Sequence, residues 1–120
     1  MKIEVSNGEI LDKFTILEIK RQEIKDAAKL ANVQTEYDSL VPSIEAIYNT
    51  IEDQTAIADL HKELLDVNKT LWNIEDLIRD CERDKNFGQD FIELARSVYY
   101  TNDDRADVKK RINTLTGSTL

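Results

Sequence analysis

The sequence predicts an all-α protein, an antiparallel up-and-down bundle of four long helices with coiled-coil-like seams, and three observations support this. Apolar residues recur at steps of three and four from Ser6 nearly to the end of the 120 residues, the period of an amphipathic helix. Only three glycines and one proline interrupt the chain, whereas an all-β fold needs a turn about every 8–12 residues. The length suits one domain, so a single all-α domain over residues 1–120 is expected.

The first helix is predicted from Ser6 to about Lys25. Ser6 and Glu9 have the spacing of a capping box, in which the serine oxygen and the glutamate each accept a free backbone N–H. Apolar residues lie on almost every side of this helix, which is typical of a buried helix. Residues 2–5 alternate between charged and apolar types, so a short extended arm is expected before it.

The second helix is predicted from residue 27 to about residue 52, with Asp26 as its N-cap. Pro42 lies in its middle, and proline inside a helix usually ends or kinks it. The apolar phase nevertheless continues unbroken from Leu30 to Ile51, which favours one helix bent just before Pro42. Two helices joined at Pro42 are the alternative.

The third and fourth helices have the longest apolar seams. Helix 3 is predicted to begin at Asp53–Thr55 and to end at Asn86–Gly88, with Gly88 suited to the left-handed cap. Asp90 and Glu93 form a second capping pair that opens helix 4, and Gly117 ends it. Because the connections are short, consecutive helices are expected to be antiparallel neighbours.

Composition argues against several classes of partner. The net charge of −8 opposes binding to nucleic acid, and no apolar run is long enough to span a membrane. With one histidine, His61, and one cysteine, Cys81, neither a zinc site nor an internal disulfide is expected. His61 lacks the Glu-x-x-His spacing of a di-iron bundle, and Cys81 fits a seam position in the core. We therefore expect a cytoplasmic protein without metal or cofactor.

Most of the net negative charge comes from one segment, residues 31–66, which contains eight acidic residues and a single basic one, Lys62. A solvated acidic face explains this pattern, and so does a docking surface for a basic protein partner. The eight residues are Glu36, Asp38, Glu45, Glu52, Asp53, Asp59, Glu63 and Asp66.

Polar residues that interrupt the apolar rows form the candidate binding site. Arg21 and Arg105 occupy seam positions, and charged residues are almost never fully buried unless they are paired. The expected partners are Glu18, Glu75 and Asp103. Antiparallel pairing of helices 3 and 4 places Trp72 near Asn102, so these groups are expected at one level of the bundle. The candidate residues are Glu18, Arg21, Trp72, Glu75, Arg79, Tyr99, Asn102, Asp103 and Arg105. Such a layer either fixes the helix register or binds a ligand or partner, and no residue is predicted to be catalytic.

Three ordered motifs occupy Ile3–Lys20, Leu71–Arg79 and Phe91–Ala106. Together they resemble a small family of uncharacterised bacterial and tailed-phage proteins, and the match is weakest over residues 31–66. The resemblance implies no activity. It implies that the polar residues of the motifs are family features and, for a phage-encoded member, that the location is the host cytoplasm.

The function that fits best is a non-enzymatic helical interaction or assembly protein that forms a homodimer. Helix 1 is apolar on more sides than three neighbours cover, and helices 3 and 4 each carry a second stripe, so an unpaired apolar patch is expected.

The alternative function is a small all-α metal-dependent enzyme, such as a nucleotide pyrophosphohydrolase. Hard divalent cations need several oxygen ligands, and the pairs Glu9/Asp12 and Glu75/Asp76 could supply them. The doubled carboxylate pattern of that enzyme class is incomplete here.

Overall fold

The computed structural model, which describes residues 2–119, contains four helices and, over those residues, no strand. The helices are α1 (Asn7–Glu23), α2 (Ala27–Asn49), α3 (Gln54–Arg83) and α4 (Gln89–Thr116). This confirms the all-α bundle. Residues 2–5 are exposed and non-helical, and none of the four helices is long and apolar enough to cross a membrane.

Local capping residues determine where the first three helices begin. The Ser6 hydroxyl accepts a hydrogen bond from the backbone N–H of Glu9 at 3.2 Å. Asp26 caps α2 through the N–H of Lys29, and Asp53 caps α3 in the same way. A carboxylate at this position also interacts favourably with the positive end of the helix dipole.

Helix α2 continues through Pro42 without interruption, as the apolar phase predicts, and the two-helix alternative is wrong. Pro42 lies on the exposed side of α2, where its ring meets water instead of a neighbouring helix. The helix ends at Asn49, slightly earlier than expected.

The turn between α3 and α4 differs from the prediction. Lys85 adopts the left-handed conformation with φ of 55°, whereas Gly88 has φ of −79°. The N–H of Asn86 donates to the carbonyl of Cys81 at 2.8 Å, and the N–H of Lys85 donates to that of Glu82. These are the two bonds of a Schellman motif, which assigns the left-handed position to the residue after the C-cap, whatever its type.

The start of α4 also differs from the prediction. Gly88 is its N-cap and supplies no side-chain hydrogen bond, so Asp90 and Glu93 are not a capping pair. Asp90 lies in the first turn instead, where its charge favours the helix dipole. At the other end, Gly117 adopts the left-handed conformation with φ of 69°, which confirms the predicted stop.

Helix α1 is the central element because it packs against all three other helices, whereas α2 packs mainly against α1. Its apolar side chains Leu11, Phe14, Leu17 and Ile19 are buried within the single chain. None of the large apolar side chains of α1 is exposed, so α1 contributes no apolar patch to the surface.

The first turn of α1 is fastened to the last turn of α4. The amide of Asn7 donates to the Thr116 hydroxyl at 3.0 Å, and the backbone N–H of Gly8 donates to Asn113 Oδ1 at 2.7 Å. A Cβ atom on Gly8 would lie 2.7 Å from the carbonyl oxygen of Lys109. Glycine is required at this position because the two helix backbones approach so closely.

Helices α3 and α4 extend well beyond α1, because they have 30 and 28 residues against 17 in α1. We call residues 75–100 the distal hairpin. Cys81 is the one buried residue in this range, whereas several large apolar side chains are about half exposed. They are Leu77, Phe87, Ile92, Tyr99 and Tyr100.

Replacing Gly8 with alanine is expected to destabilise the protein by about 1–3 kcal/mol, the usual cost of overpacking, because the backbone oxygen of Lys109 cannot move independently. Urea denaturation followed by circular dichroism measures this. Lys13→Ala, at an exposed position of α1, is the control and should change stability by less than about 0.5 kcal/mol. Equal effects of the two substitutions would contradict the close approach.

Replacing Lys85 with glycine is expected to stabilise the protein by about 1 kcal/mol, because glycine adopts a positive φ without the steric cost of a Cβ atom. Thermal unfolding measures the gain. Lys85→Ala keeps the Cβ atom and should leave the melting temperature unchanged. A loss of stability in Lys85→Gly would show that the lysine side chain matters more than the backbone conformation.

Candidate functional site

The best-connected polar group of the molecule is the carboxylate of Asp12 in α1. Arg105 of α4 binds it through two hydrogen bonds, Nε to Oδ1 at 2.9 Å and Nη2 to Oδ2 at 2.5 Å. The amide of Asn68 in α3 donates to Asp12 Oδ1 at 2.9 Å and to the Thr15 hydroxyl at 2.8 Å. We call these four residues the Asp12 cluster, and it joins three helices.

The Asp12 cluster is buried and internally satisfied. Asp12 and Asn68 are each 4% exposed and Thr15 is fully buried. Burial alone would raise the pKa of Asp12, but the hydrogen bonds and charge of Arg105, with the bond from Asn68, outweigh it and lower that pKa. Within residues 2–119 every buried side-chain nitrogen and oxygen has a hydrogen-bond partner, so the cluster is suited to holding helices together.

A cavity of about 290 Å³ lies beside the Asp12 cluster, where the second half of α1 meets the middle of α3 and α4. We call it the junction cavity. Its lining combines an indole ring, an ammonium group, a carboxylate and two amides with an aliphatic wall. The lining residues are Ile16, Ile19, Lys20, Asn68, Leu71, Trp72, Glu75, Asn102 and Arg105.

Four of the nine predicted site residues, Trp72, Glu75, Asn102 and Arg105, therefore lie around one cavity. The partner of Arg105 is Asp12, not the expected Glu75 or Asp103. Glu75 still contributes, because its charge helps to raise the pKa of Arg105, although the hydrogen bond that Arg105 donates to Asp12 is the larger cause.

The other five predicted residues lie elsewhere. Glu18 and Arg21 are on the side of α1 that faces α2, and the guanidinium of Arg21 lies 4.0 Å from the centre of the Tyr37 ring. Arg79 pairs with Asp76 on its own helix at 2.9 Å. Tyr99 is 53% exposed and packs beside Tyr100, and Asp103 is exposed.

Glu18 belongs to a separate chain of hydrogen bonds through His61. The Nε2 atom of His61 is 2.7 Å from Glu18 Oε1, and its Nδ1 atom is 2.7 Å from the Tyr48 hydroxyl. Burial, and next the charge of Glu18, raise the pKa of Tyr48, so this hydroxyl keeps its proton and can donate to Nδ1. The imidazole thus links α1, α2 and α3.

Sequence reasoning missed Asp12 and Thr15 as members of the layer. The sequence did contain a signal for them, because residues spaced four, three and four apart form one side of α1. They are Gly8, Asp12, Thr15 and Ile19, and all four are buried. Small and polar residues in such a row indicate close approach to a polar partner.

Three of the four carboxylates considered as metal ligands form ion pairs with basic side chains. Lys109 contacts Glu9 at 2.5 Å, Arg105 binds Asp12, and Arg79 binds Asp76. In the part of the chain that the structure describes, no three His, Cys, Asp or Glu side chains are grouped as a metal site would require.

Beyond the junction cavity, the same side of the α3–α4 hairpin is open to solvent. On α4, Ile92, Ala95, Tyr99 and Asn102 follow at steps of three, four and three, and all are exposed. Asn102 lines the junction cavity beside α1, whereas Ile92 and Tyr99 are 47% and 53% exposed. We call Ile92, Ala95 and Tyr99, together with Arg79 of α3, the uncovered face.

Fold and cavity together define an all-α helical-bundle protein with a small cavity of mixed charge. The chain belongs to DUF6165, a family of unknown function, whose family model matches residues 1–120. This confirms the resemblance to an uncharacterised family, while a bacterial or phage origin stays a prediction. No curated protein and no solved structure matches the chain.

Replacing Asp12 with asparagine is expected to lower the free energy of unfolding by about 2–4 kcal/mol. The substitution leaves the half-buried Arg105 without its counter-charge, and breaking such a pair is strongly destabilising. Glu63→Gln, which breaks the exposed pair with Arg111, is the control and should cost less than about 1 kcal/mol. Similar losses in both variants would contradict a structural role for the Asp12 cluster.

The same variant tests the pH dependence. Because folding lowers the pKa of Asp12, its stabilisation is present above the unfolded-state value of about 3.9 and is lost as the pH falls through the lower folded-state value. The stability difference between the wild type and Asp12→Asn should therefore shrink below about pH 4. A difference that stays constant down to pH 2 would refute this.

Proposed function

We propose that the protein is a non-enzymatic helical interaction protein that forms a homodimer through the uncovered face. The observation that carries this proposal is the exposure of Ile92 and Tyr99, at 47% and 53%, on a part of the hairpin that α1 and α2 leave bare. Contiguous exposed apolar side chains rimmed by polar residues are typical of an interaction site.

The charges near the uncovered face favour a second copy as the occupant. Both signs of charge occur there, since Arg79 of the uncovered face is bonded to Asp76 on α3 at 2.9 Å. A two-fold interface brings the same surface of both copies together, so that surface must carry groups that complement each other. A face with both signs of charge meets this condition.

The small side chain of Ala95 between Ile92 and Tyr99 supports the same arrangement. In an antiparallel pair of α4 helices centred on Ala95, each Ile92 would face the partner's Tyr99 region, and the alanine would allow close approach. Aromatic residues contribute strongly to interfaces, and Trp72 lies at the edge of this surface, in the junction cavity.

The double substitution Ile92→Arg and Tyr99→Glu is expected to convert a dimer, with twice the chain mass of 13.8 kDa, into a monomer. Sedimentation velocity over a dilution series at micromolar concentration measures the mass. The variant should remain folded, because both side chains are about half exposed, and circular dichroism checks this.

Ile3→Arg is the matched control, since Ile3 is 81% exposed but lies on the N-terminal arm. This variant should remain dimeric. A wild-type protein that is monomeric at every concentration, or a double variant that still dimerises, would overturn the proposal.

A further inference from the structure

A groove of about 520 Å³ lies near the end of the α3–α4 hairpin. Its floor contains Leu77 and Cys81 of α3 and Leu94 of α4. Leu77 is 50% exposed, so the floor offers apolar surface to an incoming side chain.

Four carboxylates line the same groove, two from each helix. Asp80 and Asp84 belong to α3, and Asp90 and Glu93 belong to α4. The neighbouring guanidinium of Arg83 is exposed and pairs with Asp80 at 3.2 Å and with Asp84 at 3.4 Å. Its single positive charge offsets one of the four negative charges. The groove is therefore strongly acidic, although it lies outside the acidic segment of residues 31–66.

We propose that this groove binds a basic amphipathic helix of another protein. An apolar channel between two antiparallel helices accepts aliphatic side chains spaced at i, i+3 and i+4 on a third helix. Lysine or arginine side chains flanking that apolar stripe would reach the carboxylates on both walls, which gives charge complementarity as well as apolar burial.

Charge argues against a second copy as the occupant. If two copies paired groove to groove, the four carboxylates of one copy would lie opposite the four of the other, and like charges placed opposite each other disfavour association. The most basic stretch of the chain lies in the second half of α4, and three of its four basic residues pair within the chain, Arg105 with Asp12 among them. Lys109 pairs with Glu9, and Arg111 pairs with Glu63 and Asp107.

The groove and the uncovered face are different sides of α4. Residues 90, 93, 94 and 97 form one helical row along the groove, whereas residues 92, 95 and 99 form another. Binding in the groove therefore does not depend on the proposed dimer, and each proposal can fail without the other.

The test uses three fluorescein-labelled peptides and fluorescence anisotropy with the full chain. One is a helical peptide of leucine and lysine with an amphipathic pattern, the second has the same composition in scrambled order, and the third replaces lysine with glutamate. The full chain is expected to bind the first peptide at least about tenfold more tightly than the other two. Equal binding of the ordered and scrambled peptides, or no binding of the first, would overturn the proposal.

Two sets of variants locate the site. The groove variant Asp80→Asn, Asp84→Asn, Glu93→Gln should bind the lysine peptide about tenfold more weakly, and Leu77→Asn should also weaken binding. The control variant Asp38→Asn, Glu45→Gln, Asp59→Asn removes the same charge from exposed positions elsewhere and should bind like the wild type. Equal losses in groove and control variants would show that net charge alone attracts the peptide, and the proposed site would be wrong.

Discussion

The carboxylate of Asp12 holds α1 against both α3 and α4, and α2 is positioned in turn by its packing on α1. Burying a charge is costly unless hydrogen bonds and an opposite charge compensate for it, and Asp12 has both. The paired guanidinium and the amide of Asn68 leave few alternative placements for α1. Apolar contacts alone would tolerate sliding of one helix along another, so we expect this polar cluster to fix the register of the bundle.

The sequence predicted those features of the fold that depend on residues close together in the chain. Ser6, Asp26 and Asp53 begin helices through bonds to backbone groups three residues away, and unbroken apolar spacing predicted a continuous helix through Pro42. The α3–α4 turn was misread because the presence of Gly88 does not decide which residue adopts a positive φ. The residue with a positive φ depends on where α3 stops packing against the core, and this happens after Cys81.

The candidate site was predicted in part for the same reason. Residues at equal distances in sequence from the α3–α4 turn are neighbours, and this rule correctly predicted that Trp72 and Asn102 lie together, in the junction cavity. The same rule cannot place α1 against α3 and α4, because no single short turn connects α1 to either of them. The partner of Arg105 was therefore wrongly assigned, and Glu18 and Arg21 were placed on the wrong side of α1.

The polar contacts of α1 also impose an order on folding. Asp12 and Arg105 are 93 residues apart in the chain, and Gly8 and Asn113 are 105 apart. At a ribosomal rate of about 5–20 residues per second, α1 emerges roughly 5–20 seconds before its partners in α4 exist. During that interval α2 is made first and α3 next, and α2 already offers cover, since Tyr37 stacks on Phe14 with ring centres 4.7 Å apart. The α1–α2 hairpin thus shields an apolar helix during synthesis until the C-terminal half of α4 can complete the fold.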